Sequence, residues 1–412
     1  MIADRIIADI GELGWPEGQV VGSEPELLDR YGVSRAVFRE AVRLVEHQQV
    51  ARMRRGPGGG LVVTAPSVDS VADAVSVYLY YVGAEIDDVY EARLALEEAA
   101  ADFAPTRLEE RHIDALRSVV ERERSGAIAD HRELHSLVAS ITGNPALELF
   151  VDLLNRVMML YLTPTAQVTA ETLSRSATAH AAIVDAILAG DPGLARHRMR
   201  VHLQAEAEYL RARRPSRRRL AQAVARSDKR AEDIAAQLFR QVTEAGWPVG
   251  QFLGSEAELM ERYDVSRAVL REAVRLLEHH QIARMRRGPG GGLFVAEPGV
   301  EAVTDAVALQ IGRRGIEPRH LFEVRRTVEM TVLNRVMSRL DDDGVAQLEE
   351  ALAAERSATR AEFPVVGHDL HGVLARAAGN PVLELLTLVL LRITRFRSAV
   401  PPEPRTRSPA RT

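Results

Sequence analysis

The apolar residues near the N-terminus follow two different periods. Between residues 37 and 45 they recur at the spacing of one face of an α-helix. These positions are Val37, Ala41, Leu44 and Val45. From Val50 to Arg55 apolar and basic residues alternate, and after a glycine-rich turn comes the run Leu61-Val-Val63, as in the two strands of a hairpin. The pattern predicts a helix followed directly by a small β-hairpin.

A second helix is predicted just before this one. Ser23 and Glu26 have the spacing of a capping box, in which a serine opens a helix and a glutamate three residues later completes a reciprocal pair of hydrogen bonds. Gly32 ends that helix, and Ser34 is placed to cap the next. Two helices joined by a short turn form the unit that lays its second helix in the major groove of DNA. A basic hairpin beside them makes the unit a winged helix.

The pattern occurs twice in the chain. The segment ARMRRGPGGGL that begins at Ala51 returns letter for letter 232 positions later, and segments 22–63 and 254–295 differ at nine of 42 positions. A weaker match, shifted by four more residues, relates 142–145 to 378–381. Two long copies do not form a solenoid, which stacks three or more short repeats. The chain is therefore predicted to be a tandem duplication of a multi-domain unit.

The predicted fold class is mainly α, with two winged helix-turn-helix domains that carry small β-wings and an all-helical bundle after each. Residues 68–213 are helical almost throughout and break at glycines and prolines into six or seven helices, whereas the second bundle is truncated. The predicted parts are a winged-helix domain at 1–66, a helical domain at 67–212, a basic linker at 213–228, a second winged-helix domain at 229–298, a truncated helical domain at 299–400 and a disordered tail at 401–412.

Composition narrows the class of protein. The 412 residues, 46% of them hydrophobic, are enough for several folded domains, and the absence of cysteine excludes disulfides and thiolate chemistry. No apolar run reaches the length of a membrane span and the N-terminus lacks the apolar core of a signal peptide, so a cytoplasmic location is expected. The net charge of −5 hides a window at 30–55 with seven arginines against two glutamates, a basic patch of the kind that binds DNA.

Arg35 and Arg39 are the first candidates for reading DNA bases. They lie four residues apart near the start of the predicted second helix, and arginine can bind guanine through two hydrogen bonds. Arg267 and Arg271 repeat the pair, although an exposed pair on a solvated helix face remains the alternative interpretation. A nucleotide-binding loop at the glycines is excluded, because a Walker-type loop needs a lysine there and Lys229 is the only lysine in the chain.

Residues 1–66 and about 229–298 resemble the winged-helix DNA-binding domain of GntR-family bacterial transcription regulators. The motifs that carry the resemblance are Ser23-Glu…Glu26-Leu, Val33-Ser-Arg…Arg39-Glu-Ala and Arg54-Arg-Gly. The resemblance implies base, phosphate or wing-tip contacts from three arginines in each domain. They are Arg35, Arg39 and Arg55, and Arg267, Arg271 and Arg287. The family often has another DNA-contacting arginine where this chain has Pro25 and Ala257, which implies an altered operator preference or a weaker affinity.

Histidines are the candidate ligands of the first helical domain. His131 and His135 share one helical face, and His180 and His202 lie on its last two predicted helices. Four imidazoles suit zinc, nickel or a similar divalent ion. Each histidine taken singly is also compatible with an ordinary core or surface position.

The same domain resembles the effector-binding FCD domain of the fatty-acid-regulator (FadR) branch of the family. The motifs are Glu91-Ala-Arg93…Glu97, Leu134-His135…Gly143-Asn144-Pro145 and His180…Asp191…His202-Leu. The resemblance implies a divalent metal held by an aspartate and three histidines. His135, His180 and His202 match the histidines, and His131, with Asp130 beside it, stands at the place of the aspartate. Arg93 is then implied to bind an anionic effector.

The second helical domain departs from this pattern. His371 corresponds to His135, but Gly367 stands at the position of His131. No counterparts of His180 and His202 follow. The second domain is therefore predicted to bind no metal and to contribute to pairing.

These features predict a sequence-specific DNA-binding transcription regulator and not an enzyme. It is expected to be a repressor, released from an operator of two similar half-sites by a small carboxylate or acyl effector. Self-association through the helical domains would give either an intramolecular pseudo-dimer or a four-headed homodimer. Two alternatives stay open: an architectural protein that bridges DNA without an effector, and a metal-dependent enzyme that uses the histidines. Against the enzyme, the chain has no His-Glu-x-x-His and no Gly-x-Ser-x-Gly motif.

Overall fold

The computed structural model is mainly helical, with two small antiparallel sheets. It describes residues 2–47, 50–54, 56, 58–64, 68–125, 132–161, 169–212, 230–359 and 363–398. Within these ranges no helix is both long and apolar enough to cross a membrane. Four parts follow one another: an N-terminal unit (2–64), a first helical domain (68–212), a central unit (230–295) and a second helical domain (300–398).

The N-terminal unit combines three helices with a three-stranded sheet. Its elements are α1 (Ile2–Glu12), β1 (Val20–Gly22), α2 (Glu24–Tyr31), α3 (Arg35–His47), β2 (Ala51–Arg54) and β3 (Gly60–Val63). The strands lie in the order β1-β3-β2, and β2 pairs with β3 from Ala51 opposite Val63 to Arg54 opposite Gly60. The predicted hairpin is therefore confirmed, whereas α1 and β1 are elements that the predicted pattern lacks.

The apolar positions that predicted α3 are only partly buried. Phe38, Ala41 and Val45 are buried, but Val37 and Leu44 are exposed. Two apolar stripes run side by side along α3, and both have helical spacing. The stripe that contains Phe38 is the one that joins the core of the N-terminal unit, to which α1 contributes Ile6 and Ile10. The predicted helix is therefore confirmed, and its packing against α1 selects which of the two stripes is covered.

The predicted helix starts at Ser23 and Ser34 are confirmed. The Ser23 backbone N–H donates to Glu26 Oε2 at 2.8 Å, and the Glu26 N–H donates back to Ser23 Oγ at 3.5 Å. Hydrogen bonds to the Glu26 carboxyl from the backbone and the side chain of Ser23 lower its pKa. At the other end of α2, Gly32 adopts a left-handed conformation with φ 64°. Its counterpart in the central unit is Asp264, at φ 49°, in a region that favours glycine.

Seven helices form the first helical domain. They are α4 (Val68–Tyr81), α5 (Ile86–Phe103), α6 (Glu110–Arg124), α7 (Arg132–Ile141), α8 (Pro145–Tyr161), α9 (Ala170–Leu188) and α10 (Pro192–Ala212). The breaks predicted at Gly83, Gly143 and Gly190 separate consecutive helices, and those predicted near Gly126 and Pro164 lie outside the described residues. α10 packs along α5 and α9, so that α5 is covered on this side.

The same order of elements returns in the second half of the chain. The central unit consists of α11 (Arg230–Glu244), β4 (Phe252–Gly254), α12 (Glu256–Tyr263), α13 (Arg267–His279), β5 (Ala283–Arg286) and β6 (Gly292–Val295), with strand order β4-β6-β5. The second helical domain consists of α14 (Val300–Arg313), α15 (Pro318–Arg339), α16 (Asp342–Ser357), α17 (Phe363–Ala377) and α18 (Pro381–Ser398). In the described residues no counterparts of α9 and α10 follow α18.

The two helical domains share one hydrophobic core and a pair of matching polar contacts. Asn144 Nδ2 donates to the Glu323 carboxylate at 2.9 Å, and Asn380 Nδ2 donates to the Glu91 carboxylate at 2.7 Å. The glutamates are 232 residues apart and the asparagines 236, which are the two offsets of the sequence repeat. The contacts are therefore related by a pseudo-twofold axis, as in an isologous dimer interface.

Each sheet-containing unit docks on the helical domain of the other half, an arrangement we call crossed docking. Tyr80 and Tyr81 on α4 pack against Trp247 of the central unit, with ring centroids 6.0 and 5.6 Å apart. On the other side Leu309 of α14 packs against the core of the N-terminal unit. α4 therefore contacts the central unit although it follows the N-terminal unit in the chain.

Candidate functional sites

Helices α3 and α13 each begin with two exposed arginines. Arg35 and Arg39 lie on one face of α3, with about two thirds of each side chain exposed. Arg267 and Arg271 occupy the same positions on α13 with nearly the same exposure. The structure thus places the predicted arginines together in each unit, at the end of the helix that reaches base edges in helix-turn-helix proteins.

A glutamate holds each arginine pair. Glu24 Oε1 lies 3.3 Å from the Nε of both arginines of its unit. Glu256 Oε1 lies 3.4 and 3.3 Å from the Nε atoms of Arg267 and Arg271. Among the described residues, no partner bonds the terminal guanidinium nitrogens of these four arginines. The glutamates thus bind the Nε side of each guanidinium and leave its two Nη atoms available for a bidentate contact with two hydrogen-bond acceptors. The sequence analysis did not single out these glutamates.

The glycine-rich turns hold the wing strands close to their neighbours. At Gly60, where φ is 153°, a Cβ atom would lie 2.4 Å from the backbone oxygen of Gly22. Gly292 has the same conformation against Gly254. Arg287, a predicted wing-tip contact, is exposed at its turn. The other predicted wing-tip contact, Arg55, lies outside the described residues.

Three buried histidines meet inside the first helical domain. His135 on α7, His180 on α9 and His202 on α10 present their ligand nitrogens within 4.8 Å of one another. His202 Nε2 lies 3.2 Å from His180 Nε2 and 3.3 Å from His135 Nε2. Three of the four predicted metal ligands are therefore together. The fourth, His131, and the adjacent Asp130 lie outside the described residues.

Carboxylates contact the far nitrogens of two of these rings. Glu97 contacts His135 Nδ1, and Glu123 lies 2.8 Å from His180 Nδ1. A carboxylate in this place keeps the proton on Nδ1 and leaves Nε2 as a metal ligand, which is the usual outer shell of histidine-bound metals. Glu123 was missed in the sequence because 57 residues separate it from His180 and no spacing relates the two.

The donor set fits a divalent metal. Two nitrogens bound to one tetrahedral zinc at about 2.1 Å lie about 3.4 Å apart, close to the separations seen between the Nε2 atoms. The rings are buried, and their outer nitrogens are oriented by protein groups rather than turned towards the centre. The chemistry and spacing of the three imidazoles thus match a borderline ion such as zinc or nickel.

Arg93 lies behind the histidines and is fully buried. Its Nε donates to Glu97 at 2.8 Å and its Nη1 donates to Glu206 at 3.1 Å. Burial raises the pKa of Glu97, but Arg93 and His135 outweigh burial and lower it to about 2. Burial disfavours the charged guanidinium, yet Glu97 and Glu206 raise the pKa of Arg93 above its ordinary value. A charged network therefore links the histidine cluster to Glu206, whose side chain is partly exposed.

The second helical domain keeps part of this network. Arg325 Nε donates to Glu329 at 2.6 Å. The Arg325 guanidinium lies 3.0 Å from His371 Nε2, and the Glu329 carboxylate lies 3.0 Å from His371 Nδ1. Burial raises the pKa of Glu329, but His371 and Arg325 lower it overall. The two ring nitrogens of His371 thus contact an arginine and a carboxylate, whereas Nε2 of His135 faces another imidazole.

Models of two protein families match the chain. The FCD domain matches residues 88–205 and 320–411, about half of the chain, and the model of bacterial regulatory proteins, gntR family, matches residues 230–295. The matches fall on both helical domains and on the central unit.

Two curated repressors are similar to parts of the chain, and one solved structure was matched to half of it. The galactonate operon transcriptional repressor of Escherichia coli (strain K12) is 28% identical over 168 residues, which are 39% of this chain and 72% of the repressor. The HTH-type transcriptional repressor NanR of the same strain is 27% identical over 214 residues, 49% of this chain and 80% of NanR. The structure of Streptococcus agalactiae GntR covers 50% of this chain and 97% of its own, with 22% identity and a TM-score of 0.37.

Proposed function

The chain belongs to the gntR family of bacterial regulatory proteins, in the group that carries an FCD domain, and on this premise we propose that it is a repressor that reads DNA through both of its sheet-containing units. Members of the family are transcription regulators rather than enzymes. The observation that carries the proposal is the repeated arginine pair, exposed in both units and held in both by one glutamate.

One chain supplies both halves of the DNA-reading assembly. The N-terminal unit has the element order and strand order of the central unit, which the gntR family model matches. The pseudo-twofold contacts between the helical domains resemble those between the protomers of a dimer. A tandem duplication of this kind would read two half-sites of nearly the same sequence, about one turn of DNA apart.

The first helical domain is the proposed sensor. His135, His180 and His202 would hold a divalent metal, with His131 or Asp130 as a further ligand, and the bound ion would supply a Lewis-acidic centre for an anionic effector. Arg93 would bind the same anion in exchange for Glu206, the more exposed of its two carboxylate partners. A small carboxylate or acyl compound is the class of effector that fits these charges.

Crossed docking gives this one sensor access to both DNA-reading units. The domain follows the N-terminal unit in the chain and contacts the central unit through α4. A ligand that favours a different position of α4 would change the spacing of the two units and release the operator. The size of this effect depends on how much more tightly the ligand binds the released conformation than the DNA-bound one. The loss of the second histidine cluster is compatible with this mechanism.

The test begins with the preferred duplex, identified by sequencing the genomic DNA that the purified chain retains. Arg35→Ala with Arg39→Ala, and the matched pair Arg267→Ala with Arg271→Ala, should each lower the affinity for that duplex at least tenfold, since each removes contacts worth about 1–3 kcal/mol per base pair read. Combining all four should leave only weak, salt-sensitive binding. Unchanged affinity of the four-residue variant would refute the proposal.

A DNA-bridging protein without an effector is the second candidate. The contacts of His371 favour this candidate, since its ring binds Arg325 and Glu329 rather than other histidines. In the described residues of the second helical domain no cluster of potential metal ligands like that of the first domain is found. If carboxylate and acyl compounds fail to change the affinity for the preferred duplex while two duplexes are still held together, bridging is the better description.

A further inference from the structure

One face of α15 carries large apolar side chains that no described part of the chain covers. Phe322, Met330, Leu333 and Met337 are 66%, 53%, 38% and 75% exposed. At 100° per residue they fall within about 80° of the helix circumference, and therefore form one stripe. With about 200 Å² for a large side chain, the stripe exposes roughly 450 Å² of apolar surface, as much as the largest patch on an ordinary monomer and of the size that marks interaction sites.

The equivalent face of α5 is covered. There α10 packs along α5, on which Tyr90 and Ala101, the counterparts of Phe322 and Leu333, are buried. Arg200 of α10 also binds Glu98 of α5 at 2.5 Å. The counterpart of Glu98 is Met330. In the described residues of the second domain no helix covers this face. A methionine replaces the carboxylate that binds α10 in the first domain, and a leucine replaces an alanine. This face is adapted to an apolar partner other than an α10-like helix.

We propose that this α15 face binds the same face of a second copy of the chain. The stripe is self-complementary, since Phe322 and Leu333 are centred on the same point of α15 as the opposite charges Arg326 and Glu329. Glu329 also contacts Arg325 and His371 within its own chain, and about a quarter of its side chain is exposed. One antiparallel two-fold pairing therefore places each phenylalanine beside the leucine of the other copy and each arginine beside the glutamate of the other copy. No such match is required by a helix of unrelated sequence.

The size of the stripe agrees with a specific pair. Two copies would bury roughly 900 Å² of apolar side-chain surface, and because about two thirds of a homodimer interface is apolar, the whole interface would bury about 1,400 Å². This lies within the range of about 1,200–2,000 Å² for stable complexes.

The proposed face is also free for this use. Glu323, which contacts Asn144 across the intrachain interface, lies about 100° and 80° around the helix from Phe322 and Leu333. It lies about 10 Å or more along the helix axis from the two methionines of the stripe, so that pairing between chains would not displace the first helical domain. Two chains joined in this way would present four DNA-reading units. This last consequence rests on the proposed function, whereas the pairing itself does not.

The pairing is tested by sedimentation of the full chain without DNA. The wild type should have twice its chain mass of 45.4 kDa at micromolar concentration. Phe322→Glu with Leu333→Glu should sediment as a single chain, and Val201→Glu, an exposed apolar position on α10, should still pair. Arg326→Glu is a milder variant, which should raise the dissociation constant about tenfold because like charges then meet.

Two results would overturn the pairing: a single-chain mass of the wild type at every concentration, or an undiminished pair in both the double glutamate variant and Arg326→Glu. A circular-dichroism melt of each variant shows whether it is folded. The double glutamate variant should keep its affinity for one preferred duplex and lose the ability to hold two labelled duplexes together. If the wild type forms the pair but does not bind a single preferred duplex, the proposed function is contradicted and the pairing still stands.

Discussion

At the scale of single residues, Glu24 and Glu256 set the character of the arginine pairs. Each carboxylate removes one positive charge from a surface that faces DNA in our proposal, and each fixes two guanidinium groups by their inner nitrogens. A flexible, fully cationic pair would bind any phosphate, whereas an oriented pair favours the acceptor pair of guanine. The glutamates are therefore expected to increase discrimination more than affinity.

Glu24→Gln combined with Glu256→Gln should raise the affinity for unrelated DNA several-fold and narrow the ratio between preferred and unrelated duplexes. The salt dependence of binding should steepen, because more phosphates are neutralised. Fluorescence anisotropy with both duplexes at several salt concentrations measures the ratio. Glu17→Gln, a charge change away from the arginine pairs, is the control. A ratio equal to that of the wild type would mean that the glutamates have no part in reading bases.

The histidine cluster makes a second prediction at this scale. Wild-type protein should carry about one divalent ion per chain, and His202→Ala should lose it, because one of three buried ligands is removed. Glu123→Gln, which leaves the ligands in place, should weaken the metal affinity by about 10–100-fold. His371→Ala should retain the metal of the wild type. Elemental analysis after dialysis against a weak chelator decides, and equal metal content in the wild type and His202→Ala would exclude the site.

At the scale of elements, the ends of α2 and α12 differ in a way that affects stability. Gly32 takes a left-handed backbone freely, but Asp264 takes it against the preference of a side-chain-bearing residue. The turn at Gly32 leaves open space around the position of a Cβ atom, so that only the backbone angle differs between the two sites.

Asp264→Gly should therefore stabilise the central unit by about 0.5–1 kcal/mol, and Gly32→Asp should destabilise the N-terminal unit by a similar amount. The chain has one tryptophan in each unit, Trp15 and Trp247. In a Trp15→Phe background, the fluorescence of Trp247 during urea unfolding follows the central unit together with its contact to α4. A lower urea midpoint for Asp264→Gly would show that the aspartate side chain compensates for its backbone.

Features set by near neighbours in the chain could be predicted from the sequence. The caps at Ser23 and Ser34 and the β2–β3 hairpin depend on residues a few positions apart, and they are confirmed. Three of the four histidines singled out as candidate metal ligands lie together in the structure, while their role as ligands stays a prediction. Features set by distant residues were missed. The covered face of α3 depends on α1, and the partner of His180 comes from another helix.

At the scale of the whole molecule, crossed docking is the arrangement that no local pattern indicated. It depends on Tyr80 and Tyr81 meeting Trp247, across more than 160 residues of chain. It makes the distance between the two sheet-containing units a property of the paired helical domains. Rigid spacing of this kind favours an operator whose two half-sites lie at the matching distance on one duplex over half-sites on different duplexes.

Tyr80→Ala with Tyr81→Ala should release the central unit and reduce the preference for a duplex with two half-sites over one with a single half-site. The tyrosines lie on α4, outside the central unit, so that the unit keeps its own buried core. On the other side Leu309 packs against the core of the N-terminal unit, and the guanidinium of Arg313 lies over the Trp15 ring at 5.7 Å. Leu309→Ala with Arg313→Ala is therefore the matched change for the N-terminal unit and should act in the same direction. Titration with both duplexes measures the preference. If it is unchanged in both variants, the spacing is set elsewhere.

The pseudo-twofold interface has a consequence for how occupancy responds to copy number. A dimeric repressor assembled from separate protomers dissociates on dilution. When most of it is dissociated, the concentration of the DNA-binding dimer, and with it the occupancy of the operator, falls with the square of the protomer concentration. Here the two halves belong to one chain, so that their association does not depend on the protein concentration. The two halves are also released from having to stay identical, since each asparagine and glutamate meets a partner encoded at its own codon. A substitution in one half therefore changes one of the two matching contacts, whereas in a homodimer it would change both.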